Sequence, residues 1–248
     1  MRLHAMTCGW LEGALGNFLA GERGRIRVPV PCFLIEHPQG LVLFDSGMHP
    51  QTQADAVGRL GPVASVFSVT FSPGEEVAAR LAGLGVDAAR VRYLVNSHLH
   101  FDHSGGNALI PNAQLVVQRR EWSAGHDADE IVKQFYFPAD YQLGHDVRVV
   151  DGQHDLFGDG RLVCLPTHGH TPGHQSLRVR LDSGDVVLTG DACYLRRTLE
   201  TLHLPPIVDD PAAMLRSLAA LRALRDAGAR LIVGHDPDDW ATVPAMME

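Results

Sequence analysis

The chain has 248 residues, of which 45% are hydrophobic and 20% charged, with a formal net charge of −8 and an isoelectric point near 5.9. That balance excludes a disordered chain and leaves no basic field to hold a phosphate backbone, so small molecules are expected as partners and nucleic acid is not. The N-terminal MRLHAMTCGW has no charged segment leading into a long apolar one, and no window reaches the ~18 apolar residues of a membrane span, so a soluble, cytoplasmic protein without a membrane partner is expected.

The first predicted elements are two strands of a hairpin, VPVPCFLIEH (Val28–His37) and LVLFDSG (Leu41–Gly47), joined at Pro38-Gln39-Gly40 and rich in branched and aromatic residues. Residues 48–72 carry no clear period. Ser72-Pro73-Gly74-Glu75 has the form of a capping box, and Val77, Leu81 and Leu84 recur at helical spacing up to Gly85, which predicts a helix. Four short buried strands come next: Arg92–Asn96, Arg161–Leu165, Asp185–Thr189 and Arg230–Val233. Between the last two lies a second helix, capped by Asp210, opened by Pro211, given an apolar face by Leu215, Leu218, Leu221 and Leu224, and ended at Gly228. Cys8, Cys32, Cys164 and Cys193 are scattered without a C-x-x-C pair, which suits reduced thiols. With no repeat and no low-complexity tract, residues 1–248 are expected to form a single domain.

The residues just past each of those four strands carry the chemistry. Arg92–Asn96 runs into SHLHFDHSGG, which places His98, His100, Asp102 and His103 within six residues; Arg161–Leu165 runs into THGHTPGH with His168, His170 and His174; the other two end at Gly190-Asp191 and Gly234-His235. A lone histidine beside an aspartate in a loop is ordinarily a solvated pair, but this many imidazoles and carboxylates at repeated strand ends are the nitrogen and oxygen donors of a zinc-like ion. His98 and His100, two apart on an extended segment, project the same way, while Asp102 and His103 come after a turn and point elsewhere. Two ions are therefore expected, with the two oxygens of Asp191 suited to bridge them.

The run H-x-H-x-D-H (His98, His100, Asp102, His103), then G-H-T-P-G-H (Gly169–His174), G-D (Gly190-Asp191) and G-H (Gly234-His235), resembles the metallo-β-lactamase superfamily. The NSHLHFDHSGGN wording, the quartet Asp191-Ala192-Cys193-Tyr194 and GHDP at Gly234–Pro237 look most like its N-acyl-homoserine lactonases. The resemblance implies an α/β fold, a four-layer αβ/βα sandwich with a dinuclear site at one sheet edge. It implies His98, His100 and His170 on one metal, Asp102, His103 and His235 on the other, and Asp191 between them, with two zinc ions as cofactors and manganese, iron or cobalt as substitutes. Metal-activated water would open the lactone ring of an N-acyl-homoserine lactone, with Tyr194 contacting the carbonyl. Asp102 would either return a proton to the leaving oxygen or act only as a ligand. His168, where relatives often carry proline, is not counted as a ligand, His174 is expected to be a buried imidazole hydrogen-bonded to backbone, and Asp45 is expected to hold a ligand histidine.

Trp10, Leu11, Leu15, Phe18, Phe67, Phe71, Phe101, Phe135 and Phe137 are candidates to line an apolar slot for the acyl chain, Phe101 above all because its chain neighbours are donors. The rival readings are another small-lactone hydrolase of pyridoxolactonase type, or a glyoxalase-II-type thioester hydrolase, which would be expected to append a basic region. A zinc β-lactamase would have Cys in place of Asp191, and a metal-binding module without turnover fits a complete donor set poorly. A small-molecule lactone is the expected partner, and a homodimer is the assembly allowed for.

Overall fold

The computed structural model describes residues 1–248. Strands β1 (Arg2–Ala14), β2 (Arg25–His37), β3 (Gly40–Phe44), β4 (Phe67–Thr70), β5 (Val91–Val95), β6 (Gln114–Gln118) and β7 (Val147–Val150) come first, followed by β8 (His154–Asp155), β9 (Leu162–Pro166), β10 (Gln175–Leu181), β11 (Gly184–Leu188), β12 (Arg230–Ile232) and β13 (Met246–Met247). They make two sheets. The first runs β13-β1-β2-β3-β5-β6-β7 with β4 paired to β1, and the second runs β12-β11-β10-β9-β8. Pairing is antiparallel from β1 to β3 and parallel from β3 through β7. In the second sheet β9, β10 and β11 alternate direction and β12 is parallel to β11.

The strand period of two sorts the side chains into layers. On β2, Phe33 and Ile35 join Val42, Phe44 and Val95 against Leu162, Cys164, Leu177, Val179 and Leu188 of the other sheet, so this core lies between the sheets. Cys32 and Leu34 point the other way, into a core closed by Val77 and Leu81 of the helix over Val77–Gly83. Val163, Leu165 and Val187 face outward from the second sheet onto Leu218 and Leu221. The result is a four-layer α/β sandwich, and each fully buried leucine in it, such as Leu177, contributes about 2 kcal/mol.

The helices are α1 (Ala56–Leu60), α2 (Val77–Gly83), α3 (Phe101–Ser104), α4 (Arg119–Ala124), α5 (Ala128–Lys133), α6 (Arg196–Thr201), α7 (Pro211–Asp226) and α8 (Pro237–Trp240). Asp210 caps α7 by accepting from the Ala213 N–H at 3.0 Å, as its sequence predicts. Its buried stripe is Met214, Leu218 and Leu221, while Leu215 is exposed because it falls one position off that stripe. The helix predicted from Pro73 begins only at Val77. Glu75 does reach back to the Ser72 N–H at 2.8 Å, but Gly74 sits at φ 91°, so the capping-box residues form a turn ahead of the helix.

Two departures bear on the site. β1 lies outside the predicted elements because its alternation breaks at a bulge between Thr7 and Trp10, where Gly9 takes φ 94°. β2 carries Pro29 and Pro31 where it pairs only with β1, since β3 begins its pairing at Phe33. A strand can hold proline where the missing N–H faces an unpaired edge.

Candidate metal centre

His98 comes after β5, His170 after β9, Asp191 after β11 and His235 after β12, so the carboxyl ends of strands from both sheets deliver their side chains to one place. Asp102 and His103 arrive on α3, a single turn begun at His100. Two groups of donors result: His98, His100, His170 and Asp191, and beside them Asp102, His103 and His235, with the donor atoms of each group within 4.8 Å of one another. Asp191 spans both. Its Oδ2 lies 3.4 Å from His170 Nε2 and 3.7 Å from His98 Nε2, and its Oδ1 lies 3.0 Å from His235 Nε2 and 3.3 Å from His103 Nε2. Asp102 Oδ2 stands 3.6 Å from His235 Nε2 and 3.7 Å from His103 Nε2.

The far side of each imidazole determines what its near side offers. His100 Nε2 lies 2.9 Å from the Gln134 carbonyl and must donate to it, leaving Nδ1 bare. His103 Nδ1 donates to Asp45 Oδ2 at 2.9 Å and His235 Nδ1 donates to the Pro29 carbonyl at 2.8 Å, leaving both Nε2 atoms bare. The Ser97 hydroxyl donates to Asp45 Oδ2 at 2.8 Å and accepts from His98 Nδ1 at 2.9 Å, which bares His98 Nε2. Four ring nitrogens and three carboxylate oxygens thus converge on one buried space, and His103 Nε2 and Asp191 Oδ1 have no hydrogen-bond partner there. Lone pairs gathered in this way repel one another unless a cation sits among them. Ligands bonded tetrahedrally at 2.0–2.1 Å lie about 3.3 Å apart. The separations between neighbouring donors, from 2.8 Å for His98 Nε2 to His100 Nδ1 up to 3.7 Å, bracket that spacing. The residues fit a divalent metal.

Charge obeys the same division. Burial, with the neighbouring imidazoles, holds His98 well below the usual imidazole range, and burial does the same to His170 against the pull of Asp191. His103 moves the other way: against its burial, Asp191, Asp102 and Asp45 hold it well above that range. The field that draws a proton to His103 Nε2 would equally favour a metal cation there. Burial, with Asp191 and Asp102, pushes the Tyr194 phenol well above its usual range, so it is a hydrogen-bond donor at neutral pH. Its hydroxyl lies 3.4 Å from His170 Nδ1.

The remaining candidates take supporting places. Asp45, with φ 58°, accepts from the Ser97 N–H at 2.7 Å as well as from Ser97 Oγ and His103, so it fixes the loop and an imidazole together. His174 is buried and accepts from the Asp191 backbone N–H at 2.9 Å through Nε2; burial lowers its pKa to about 3, which keeps it neutral for that bond. His168 is half-buried, with Nδ1 3.2 Å from the His174 carbonyl, outside both donor groups. Glu121 is absent from the sequence-derived candidates. Fully buried on α4, it accepts from the Leu99 N–H (3.0 Å) and Tyr136 Oη (2.6 Å) through Oε1, and from Thr171 Oγ1 (2.8 Å) and the Gly173 N–H (2.9 Å) through Oε2. It staples the His98–His103 loop to the His170–His174 loop, and nothing in RREWSA signals this, because its partners are distant in sequence.

The donors open into a cavity of about 440 Å³. Of the predicted apolar candidates, Leu11, Phe18, Phe67, Phe101 and Phe135 line it. Leu15, Phe71 and Phe137 belong to the core beneath, and Trp10 stacks under the Arg27 guanidinium at 4.6 Å. Pro62, Val63 and Val66 from one segment and Pro206, Ile207 and Val208 from another supply wall that no periodicity announces.

A sandwich that carries histidines and aspartates at the carboxyl ends of its strands, open to an apolar cavity, defines a metal-dependent enzyme scaffold. The chain belongs to the metallo-beta-lactamase superfamily, whose pattern matches residues 25–235. It is similar to the N-acyl homoserine lactonase AttM of Azorhizobium caulinodans, 36% identical over 97% of this chain and 95% of that protein. The N-acyl homoserine lactonase AiiA of Bacillus thuringiensis subsp. kurstaki is 31% identical over 85% of this chain and 82% of its own length. Among solved structures, an N-acyl homoserine lactone hydrolase with the product N-hexanoyl-L-homoserine bound at its catalytic metal center superposes with a TM-score of 0.88, at 25% identity, covering 98% of this chain and 96% of the other. No helix is long and apolar enough to cross a membrane.

Proposed function

We infer that this chain is a metal-dependent hydrolase that opens the lactone ring of N-acyl homoserine lactones. The observation that carries the reading is the placement of two donor groups sharing Asp191 at the floor of an apolar cavity, where an acyl chain can lie along the walls with its lactone against the donors. His98, His100 and His170 would hold one ion and Asp102, His103 and His235 the other, with Asp191 within reach of both. Zinc is the ion this mixture of nitrogen and oxygen donors suits, with manganese, iron or cobalt as substitutes. Bound divalent ions supply Lewis acidity and water ionised at neutral pH.

The chain's own groups do the rest. Tyr194, half-buried at the cavity wall and protonated beside His170, would donate its hydroxyl hydrogen to the oxygen on which charge develops. Asp102 lines the cavity as well as facing His103 and His235, and would take up the proton released by the attacking water and pass it to the leaving ring oxygen. Ser97, Asp45, Gln134 and Pro29 keep the imidazoles in the tautomers that coordinate. Phe18 packs edge-on to Tyr194 with ring centroids 5.4 Å apart and, with Phe101, shields the reacting atoms from bulk water.

The test is a substrate panel on metal-replete protein: homoserine lactones with short and long acyl chains, a γ-lactone lacking the amide, a thioester, a β-lactam and a phosphodiester, compared by kcat/KM. Acyl-homoserine lactones should lead, and elemental analysis should find about two transition-metal ions per chain. A thioester or phosphodiester preferred by orders of magnitude overturns the substrate assignment.

A further inference from the structure

We propose that Asp209 is a positioning residue that sets acyl-chain specificity by clasping one wall of the cavity onto the residues that hold the first group of imidazoles. The wall is Pro205–Val208, the stretch between α6 and α7. It is unusual in its support: these four residues make no hydrogen bond to the rest of the molecule, through backbone or side chain. Two are prolines with no N–H to give, and Ile207 is 70% exposed at the cavity mouth. Pro205 is buried by packing, and the position of Pro206–Val208, which line the cavity, is set from the ends. At the near end, Ala20 donates to the Leu204 carbonyl at 3.1 Å and His203 Nε2 donates to the Ala20 carbonyl at 2.7 Å. At the far end Asp209 comes first, and behind it the Asp210 N–H donates to the Gly169 carbonyl at 3.0 Å.

Asp209 makes three contacts, and each leads toward the centre. Its Oδ1 accepts from Lys133 Nζ at 2.8 Å and from Gln134 Nε2 at 2.9 Å. Its backbone N–H donates to the His170 carbonyl at 3.1 Å. Gln134 in turn offers the carbonyl that orients His100. One half-buried carboxylate thus joins the free-standing wall to the residue behind His100 and to His170 itself, while Lys133, Gln134 and Asp209 also line the cavity. Thermal stability is not what this arrangement serves. Lys133 is 55% exposed, and an ion pair at such a site adds little to stability. Its effect is to fix where Ile207 and Val208 stand, and a long acyl chain, which needs the full wall, depends on that more than a short one.

This rests on the lactonase reading, and the experiment separates the two. Asp209→Ala and Asp209→Asn are compared with the unaltered metal-loaded protein on butanoyl- and dodecanoyl-homoserine lactone, with amide hydrogen exchange at residues 209 and 210 monitored without substrate. Asp209→Ala should raise KM for the dodecanoyl substrate about 10-fold more than for the butanoyl one, a difference of about 1.4 kcal/mol in binding. It should also speed exchange at the 209 amide, with metal content and the thermal midpoint preserved. Asp209→Asn, which keeps an acceptor oxygen for Lys133 or Gln134, should recover most of the loss. Equal KM changes for both chain lengths, unaltered exchange in Asp209→Ala, or a loss of metal equal to the loss of activity would each overturn the clasp. If the unaltered protein turns over neither lactone, the lactonase reading falls, and the exchange result alone decides the clasp.

Discussion

The two donor groups share one aspartate, yet they are supported differently. Behind His103 stands a full carboxylate, Asp45, just past β3, and behind His235 a strand carbonyl, Pro29 of β2. Behind His98, His100 and His170 stand a hydroxyl, a carbonyl on the turn after α5, and a phenol at 3.4 Å. The difference teaches where charge has been concentrated. The Asp102–His103–His235 group has two carboxylates within reach of His103 and a third behind it, and around it lie the two partnerless atoms, His103 Nε2 and Asp191 Oδ1. On the proposed reading it is expected to hold a cation more tightly than the first group, whose imidazoles rest on nearly neutral supports.

The largest expected effect erases the comparison. Asp191→Ala removes the only side chain the groups share, so both ions should be lost and kcat/KM should fall by ~10³ or more. Elemental analysis of the variant reads this directly, and one full equivalent of metal retained would mean that the groups are independent. Asp45→Ala sharpens the comparison instead. Removing the carboxylate behind His103 should weaken the second group's affinity by ~10- to 100-fold, with a smaller effect on the first group through Ser97. Competition against a chelator should then resolve two classes of ion further apart than in the unaltered protein, and equal loosening of both would contradict the asymmetry. Tyr194→Phe is the mildest. It removes a donor beside the first group but no ligand, so metal content and folding should hold while kcat drops roughly 10-fold, less than the loss of a sole oxyanion donor. An unchanged kcat at full metal occupancy would make Tyr194 a packing residue.

Strand ends and donors were legible because both are local. RYLVN, RLVCL, DVVLT and RLIV lie within one residue of β5, β9, β11 and β12, and the residues after them do converge. Asp45 was reached only through the family resemblance, since a residue that ends a strand reads equally well as an exposed turn. What the sequence hid depends on contacts between distant segments. Glu121 acts through Leu99, Tyr136, Thr171 and Gly173 and has no local pattern. The cavity wall at 62–66 and 205–208 has neither period nor motif, and residues 48–72 fold into short pieces, α1 and β4 among them, whose faces are set by the core they cover. The aromatic candidates show the same limit: Phe67 and Phe71 are near neighbours in sequence, but one faces the cavity and the other the core.

The prolines of β2 carry one more implication. On a strand the N–H and C=O of a residue leave on the same side, so any other residue at position 29 would bring a backbone donor into the opening where the His235 ring donates its own hydrogen. Proline offers the acceptor without the competing donor. The orientation of a buried imidazole is thereby settled by one covalent ring.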